Sequence, residues 1–289
     1  MYTCVNLKVK YLKDFEALSN IKDDLDNPCK EYQELYYRSN FIKRYFLRRN
    51  VRLFINGTNC IGYVLLQPLN KKRYIVNSMY IKKESDLTKI SQVLIRSIGR
   101  DIVLYYKCKK NSSDFNTLQG IGFEKLDGIL LMEIETTDSN SITNMQRNIT
   151  FQNLIKGKDE KLRCKLQNEI FNNMQRVPLT PQDISVDEEQ DYYFDKGAIF
   201  MKNGEKYIGY GQIIIEKAQA YIVNLGILRE YRNMGYGKIL LNFLTQFSGE
   251  NGFFKVKIKV NLDNSVAIKM YENAGFKVID ESYNWIFKN

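Results

Sequence analysis

Apolar and polar residues alternate with two different periods along the C-terminal third of the chain. Segments rich in β-branched and aromatic residues, the last with an apolar residue at every second position, predict strands over 207–215, 219–228 and 254–260. Apolar residues three and four apart predict a helix over 239–247, which Gly249 is expected to end. Strands alternating with helices are typical of the α/β class, and we predict a mixed sheet.

Two more helices flank this region. An amphipathic stretch over 159–175 predicts a helix that ends before Pro178, since proline cannot continue it. Near the C-terminus, Asn264 or Ser265 is placed to cap a helix that Gly275 closes. The apolar stripe of this last helix consists of Ala267, Met270, Tyr271 and Ala274.

The chain contains an internal repeat. Ile61-Gly62-Tyr63 recurs as Ile208-Gly209-Tyr210, and Tyr74-Ile75-Val76-Asn77 recurs as Tyr221-Ile222-Val223-Asn224. Both matches have the same offset of 147 residues, which predicts that two domains share one layout. A small, polar segment over 136–141 without apolar periodicity is typical of a linker. We therefore predict domains over 1–140 and 145–289.

The composition excludes several kinds of chemistry. The chain has no histidine, so Ser–His and Cys–His nucleophile pairs and histidine zinc sites are excluded. Five cysteines are scattered without a Cys-x-x-Cys pair, which argues against a disulfide framework and favours reduced thiols. The sequence shows neither an apolar run of membrane-spanning length nor the layout of a signal peptide, so we expect a cytoplasmic protein without a membrane partner.

The net charge of +10 is interpreted as a solvated basic surface. No arginine-rich cluster interleaved with aromatic residues stands out, so nucleic acid is not expected as a partner. We expect a monomer or a homodimer.

The segment 232–238 joins a predicted strand to a predicted helix and contains Gly235 and Gly237. The first turn of a helix presents unpaired N–H groups and a positive dipole end, and together with glycines this favours an anion such as pyrophosphate. A purely structural turn is the alternative. Leu240 stands where a dinucleotide fingerprint needs a small residue, and Ile239 stands where a P-loop needs Ser or Thr.

Two ordered signatures resemble those of the GNAT acetyltransferases, over about residues 150–289. Residues 225–238, with Tyr231-Arg232-Asn233-Met234-Gly235-Tyr236-Gly237 at their centre, resemble the central motif of the family. Residues 260–276, which contain Asn264, Ala267, Tyr271 and Gly275-Phe276, resemble its second signature. Arg229 stands where proline is common in the family, and Ile227 stands where valine is common.

The resemblance implies an N-acetyltransferase that uses acetyl-coenzyme A (acetyl-CoA) and no metal. The backbone of Ile227, Leu228 and Arg229 would hold the acetyl and pantetheine end. Asn264 would contact the pantetheine, and Tyr271 would act as general acid toward the sulfur. The pyrophosphate would be held by the amides of Arg232, Asn233, Met234, Gly235, Tyr236, Gly237 and Lys238.

The residues add a separate argument for Tyr271. A thiolate leaving group has a pKa of about 8.5, as for cysteine, and a tyrosine has a pKa of about 10, so the tyrosine is neutral at pH 7 and can donate. Full proton transfer is slightly uphill, which favours hydrogen-bond donation in the transition state. A base for the amine is harder to find without histidine. Glu216 is one candidate, and Glu230 or backbone carbonyls acting through water are the alternatives.

The N-terminal half lacks the loop. The offset places residues 85–90 where 232–237 stand, and these residues contain no glycine, while Asp86 would repel a phosphate. We therefore expect a degenerate N-terminal GNAT-like domain and one cofactor per chain. The acceptor is expected to be a primary amine of a small molecule or peptide. A non-catalytic acetyl-CoA-binding regulatory or interaction protein is the alternative.

Overall fold

A computed structural model describes residues 1–21, 28–110, 114–136, 148–172 and 177–289. These residues form two compact units. The N-terminal unit comprises Met1–Gly128 together with Ser282–Asn289, and the C-terminal unit comprises Ile129–Glu281. Most of the predicted linker, 137–141, lies outside the described residues.

The N-terminal unit is a sheet with helices. Its strands run in the order β1-β2-β3-β4-β5-β12, with β4 and β5 parallel and the other recorded pairs antiparallel. Its elements in chain order are β1 (Tyr2–Asn6), α1 (Leu12–Ser19), α2 (Pro28–Arg38), α3 (Phe41–Arg48), β2 (Val51–Asn56), β3 (Asn59–Pro68), β4 (Arg73–Ile81), α4 (Leu87–Ile98), β5 (Val103–Lys109), α5 (Asp114–Ile121) and the start of β6 (Glu124–Glu135).

The C-terminal unit follows the same plan. Its strands run in the order β6-β11-β10-β9-β8-β7, with β10 and β11 parallel and the other pairs antiparallel. Its elements after β6 are β7 (Ile149–Asn153), α6 (Glu160–Ile170), α7 (Pro181–Glu188), β8 (Tyr193–Asn203), β9 (Lys206–Glu216), β10 (Gln219–Ile227), α8 (Tyr236–Glu250), β11 (Lys255–Asn261), α9 (Ser265–Asn273) and the start of β12 (Lys277–Lys288).

The predicted α/β class with a mixed sheet is confirmed, and the repeat has a structural cause at its glycines. Gly62 in β3 pairs with Ile81, and a Cβ added there would lie 2.5 Å from the carbonyl oxygen of Tyr80. Gly209 in β9 pairs with Ile227, and its added Cβ would lie 2.6 Å from Ile227 Cδ1. Both strands therefore need glycine at the same point of the fold.

Each unit includes part of a strand that continues from the other unit. Residues 129–135 of β6 pair with β11 in the C-terminal unit, and residues 282–288 of β12 pair with β5 in the N-terminal unit. The predicted domains, 1–140 and 145–289, instead assign all of β6 to the first and all of β12 to the second. Alternation of apolar residues marks a strand but carries no information on its partner. The boundaries of the compact units therefore differ from those of the predicted domains.

The C-terminal sheet is covered on both faces, as period-two alternation requires. In β8, Ile199 and Met201 belong to the apolar cluster that contains residues of α8 and α9. Ala198 and Phe200, between them, belong to the cluster that contains Leu166 and Ile170 of α6. This three-layer packing brings α6 and α8 to opposite faces of the same strands.

Two predicted helix boundaries need correction, and one helix was missed. Gly249 lies inside α8, which ends at Glu250, and Gly252 supplies the left-handed residue, with φ 88°. The helix predicted over 159–175 is α6, which ends at Ile170, and residues 173–175 lie outside the described chain. The following helix, α7, was not predicted although Thr180 and Asp183 form a capping box at its start.

Candidate active site

Strands β10 and β11 separate at their C-terminal ends. Their parallel pairing covers only Ala220–Ile222 and Val256–Ile258, although β10 continues to Ile227 and β11 to Asn261. The remaining backbone groups on the facing edges of these strands form no ladder with each other. An opening of this kind inside a sheet can accept an extended polar ligand that bonds to the free edges.

A bulge in β10 accompanies the opening. The register between β10 and β9 shifts between Val223 and Gly226, and Asn224 adopts a left-handed φ of 52°. The end of α6 packs against this bulge, because a Cβ on Gly226 would overlap Ile170 Cγ2 and lie 3.0 Å from Phe171 Cζ. Gly226 therefore lets α6 approach the bulged strand closely.

The loop after β10 leads into α8 without a side-chain cap. A 3-10 turn covers Arg229–Tyr231, and Asn233 and Gly235 follow with φ 62° and 82°. No described side chain caps α8, and the first backbone bond into the helix runs from Ile239 N to Gly235 O at 3.2 Å. The preceding amides of the first turn are therefore available to an anion.

The corresponding helix of the N-terminal unit is capped. Asp86 Oδ1 accepts a hydrogen bond from Lys89 N at 3.1 Å, and Asp86 Oδ2 lies 3.0 Å from Lys89 Nζ. Hydrogen bonds from Lys89 lower the pKa of Asp86. The position that a phosphate would take at α4 is thus occupied by a carboxylate of the chain itself.

Arg232 stabilises the loop through its side chain. Its Nε donates to Ile227 O at 3.0 Å, and its Nη2 donates to Ile170 O at 2.6 Å, at the end of α6. The Arg232 amide donates to Arg229 O at 3.3 Å. The guanidinium of Arg232 therefore joins α6, β10 and the loop.

The predicted cofactor-binding residues differ in whether their polar groups are already bonded within the fold. Leu228 donates its amide to Ile208 O at 2.9 Å, so that amide is already used within the fold. Gly237 packs closely on α9, since an added Cβ would lie 3.1 Å from Met270 Sδ. The Tyr236 hydroxyl accepts from Asn203 Nδ2 at 3.3 Å. Arg229, Asn233, Met234 and Lys238 are exposed around the loop.

Asn264 and Tyr271 lie on α9, beyond the end of β11. Asn264 is the N-cap, and its Oδ1 accepts from Ala267 N at 3.2 Å, which leaves its amide group to other partners. Tyr271 is 6% exposed and its ring lies 6.0 Å from that of Phe276. Burial raises the pKa of Tyr271 to about 12, so its hydroxyl stays protonated as a donor.

The structure does not bring Glu216 to this loop. Glu216 ends β9 and pairs with Gln219 at the opposite end of β10, and its carboxylate lies 3.6 Å from Lys259 Nζ. At about 3.3 Å per strand residue, the length of β10 separates it from Ile227 by roughly 25 Å. Glu230, the other carboxylate considered, is exposed on the 3-10 turn.

A buried polar network beside the bulge was missed by sequence reasoning. Arg163 of α6 donates through Nη2 to Asp187 Oδ2 at 2.5 Å and to Gln212 Oε1 at 3.0 Å. Asn224 of the bulge donates to the same Gln212 oxygen at 3.2 Å. These elements surround a pocket of about 340 Å³, which we call the bulge pocket; its lining includes Arg163, Gln167, Asp183, Asp187, Tyr192 and Asn224.

Asp187 is ionised within this network. Burial opposes the charge, but hydrogen bonds from Arg163, Tyr192 and Gln212 outweigh it and lower the pKa of Asp187. A lowered folded-state pKa stabilises the fold above the unfolded value of about 3.9, and this stabilisation is lost as the pH falls through the folded value.

Replacing Asp187 with Asn should therefore lower the free energy of unfolding at pH 7 by about 2 kcal/mol, because hydrogen bonds to a charged group are lost. The loss should shrink as the pH falls below about 4. Urea unfolding of the wild type and of Asp187→Asn at pH 7 and pH 3 measures this loss of free energy. Asp195→Asn is the control, since Asp195 is 75% exposed in its pair with Lys156. Equal losses at both pH values would contradict the ionised role.

Two further features of the described residues bear on the kind of site. No group of three or more Cys, Asp or Glu side chains among them is arranged to hold a metal ion. None of the described helices combines the length and the apolarity needed to cross a membrane.

The sequence matches a known family model over part of its length. Residues 167–276 match the Acetyltransferase (GNAT) family. The chain is 33% identical over 61 residues to the probable N-acetyltransferase san of Drosophila melanogaster, covering 21% of this chain and 33% of that protein. It is 26% identical over 168 residues to mycothiol acetyltransferase of Corynebacterium glutamicum, covering 54% and 57%. The matches thus span between a third and just over half of these relatives.

Solved structures match the chain over its whole length. A GCN5-related N-acetyltransferase from Sphaerobacter thermophilus aligns with a TM-score of 0.63 at 14% identity, covering 99% of this chain and 95% of that one. A tandem GNAT protein from the clavulanic acid biosynthesis pathway aligns with a TM-score of 0.52 at 11% identity, covering 100% and 98%. At such identities the likeness concerns the fold alone.

Proposed function

Because this chain belongs to the GNAT superfamily of acetyltransferases, we propose that its C-terminal unit binds acetyl-CoA and transfers the acetyl group to a primary amine by direct attack on the thioester. The observation that carries the proposal is the uncapped start of α8 next to the opening between β10 and β11. The loop supplies amides for a pyrophosphate, and the opening supplies free strand edges for an extended chain.

The residues proposed to hold acetyl-CoA are those whose hydrogen-bonding groups are not used within the fold, together with Arg232, which positions the loop. The amides from Gly235 to Lys238 are proposed to bind the pyrophosphate, and Arg232 keeps the loop in place through Ile170 and Ile227. Asn264 has its amide group left to donate to the pantetheine. Acetyl-CoA supplies the reactive thioester, and the protein supplies binding, orientation and proton placement.

Tyr271 is proposed to donate a hydrogen bond to the departing sulfur. Its raised pKa of about 12 keeps the hydroxyl protonated far above neutral pH. The same shift makes complete transfer to a thiolate, with a pKa of about 8.5, unfavourable. Tyr271 therefore acts as a donor that stabilises the developing negative charge rather than as a fully ionising acid.

The amine must lose a proton in the reaction. Glu216 pairs with Lys259 beside the start of β10, and Glu230 is exposed on the 3-10 turn. This favours the remaining candidates, backbone carbonyls of the bulged β10 acting through water. The bulge pocket borders this strand at Asn224 and is the proposed entry for the acceptor. The N-terminal unit, with Asp86 across its helix start, is proposed to bind no cofactor.

The proposal is tested by titrating the full-length protein with acetyl-CoA and then measuring thiol release with a panel of primary amines, peptides included. We expect acetyl-CoA binding and amine-dependent release of free CoA, with acetylated product detected by mass spectrometry. Binding without turnover on any amine would support a non-catalytic acetyl-CoA-binding protein instead. Absence of binding would reject both functions.

A further inference from the structure

Two hydrogen-bond donors in the bulge pocket have no partner within the described chain. They are Nη1 of Arg163 and Nε2 of Gln167, both fully buried atoms. Arg163 is 2% exposed and Gln167 is 1% exposed, and both residues line the pocket. A buried donor without a partner is costly, so two at one pocket indicate that a ligand atom completes them.

The other polar atoms of these side chains are already used. Arg163 Nε donates to Gln167 Oε1 at 3.3 Å, and Arg163 Nη2 donates to Asp187 and Gln212. The two residues stand four positions apart on α6, so they lie on the same face of the helix. What they leave for a ligand is a pair of donors, and the complementary group is an oxygen acceptor.

The charges around the pocket determine which oxygen fits. The positive charge of Arg163 is balanced by Asp187, and Asp183 adds a further carboxylate to the lining. A ligand carboxylate would meet an excess of negative charge, with a desolvation cost of its own. A neutral carbonyl accepts the same two hydrogen bonds without that repulsion, while the surplus carboxylate attracts a protonated amine nearby.

We propose that the bulge pocket binds an amide carbonyl oxygen of the acceptor through Arg163 and Gln167, so that the amine substrate carries an amide or peptide group. This inference rests on the proposed function for the identity of the pocket as the acceptor entry. Asn224 connects the bulge pocket to strand β10, because it lines the pocket, lies in the bulge of β10 and donates to Gln212. An amino acid with a free carboxylate should bind to the pocket more weakly than the corresponding amide.

The kinetic test compares matched acceptors, each amino acid with its amide, such as glycine with glycinamide and leucine with leucinamide. The ratio of kcat/KM for amide over acid is measured in wild type and in Gln167→Met. Because the intrinsic reactivity of each amine is the same for both proteins, only recognition changes the ratio. The ratio should fall about 2- to 12-fold in the variant, as for loss of one hydrogen bond. Lys165→Ala, exposed on the same helix, should leave it unchanged.

The second test needs no turnover and uses wild-type protein. Acetamide and sodium acetate are titrated separately into ¹⁵N-labelled protein, and the side-chain amide signal of Gln167 is followed by NMR. We expect saturable shifts with acetamide and none with acetate. Equal or stronger shifts with acetate, or none with either, would overturn the inference. Since this result does not depend on acetyl transfer, it separates failure of the pocket assignment from failure of the proposed function.

Discussion

Replacing Gly235 with Asp should raise the Kd for acetyl-CoA at least about 100-fold while the protein stays folded. The substitution puts a carboxylate at the N-cap of α8, as Asp86 already does at α4. Charge-assisted hydrogen bonds contribute about 1.5–3 kcal/mol each. Losing two of them to an internal carboxylate exceeds the 2.7 kcal/mol or so that corresponds to a 100-fold change in affinity.

Stability should change little in this variant. The φ of 82° at Gly235 costs a residue with a side chain roughly 1–2 kcal/mol, and aspartate is among the residues that tolerate this region. An added Cβ meets nothing within 4 Å, so the cause is not steric. Thermal melting should therefore shift by only a few degrees, on the order expected for a change of about 1–2 kcal/mol.

Gly235→Asn is the matched control. It has the same size and the same backbone strain but no charge, so it should weaken binding far less than Gly235→Asp. Calorimetric titration of both variants with acetyl-CoA gives the comparison. Wild-type affinity in Gly235→Asp would show that the start of α8 does not bind the pyrophosphate.

Replacing Tyr271 with Phe should lower kcat by about 100-fold, at the lower end of the range for an acid catalyst. The ring of Tyr271 packs in the core, and phenylalanine preserves that packing. Since the hydroxyl is proposed to act when charge develops on sulfur, affinity for acetyl-CoA should be almost unchanged. Steady-state kinetics together with calorimetry separates the two quantities.

The pH dependence gives a second test of Tyr271. The donor form is lost as pH rises through the pKa, which burial raises to about 12. Activity should therefore show no loss from this group between pH 7 and 10, where an unperturbed tyrosine with a pKa of about 10 would begin to ionise. Tyr221→Phe, on the strand β10 beside Lys259, serves as control and should retain activity. An unchanged kcat in Tyr271→Phe would remove the donor role.

The comparison of the two units shows what the fold alone provides. In the N-terminal unit the parallel pairing of β4 and β5 covers only Arg73–Val76 and Val103–Tyr106, although both strands continue beyond it. The opening at the strand ends is thus present in both units. The difference lies at the N-cap of the following helix, which is Asp86 for α4 and Gly235 for α8.

The elements around the cofactor loop could be predicted because their signals are local. Glycines, a cap and an apolar stripe lie within a few residues of each other, and Asn264, one of the two caps that the sequence allows, is the N-cap of α9. The start of α7 also carried a local signal, since Thr180 and Asp183 form a capping box, but it was not used. Without α7 the sequence reading had no helix to carry Asp187.

The acceptor side could not be predicted in the same way. Arg163, Asp187 and Gln212 meet from two helices and a strand, and no spacing in the sequence indicates that they touch. Glu216 was chosen for its place at a strand end, and it lies beside the start of β10, whereas the proposed cofactor loop follows the end of β10. The partners of strands β6 and β12 could not be predicted for a similar reason, because tertiary packing decides which strands pair.

The central proposal for this protein is one acetyl-CoA site per chain, at the start of α8. Calorimetric titration of the 289-residue chain with acetyl-CoA tests this most directly, because it reports stoichiometry as well as affinity. We expect one site per chain in the wild-type protein and none in Gly235→Asp. Two sites per chain, no binding, or one site that survives Gly235→Asp would contradict it.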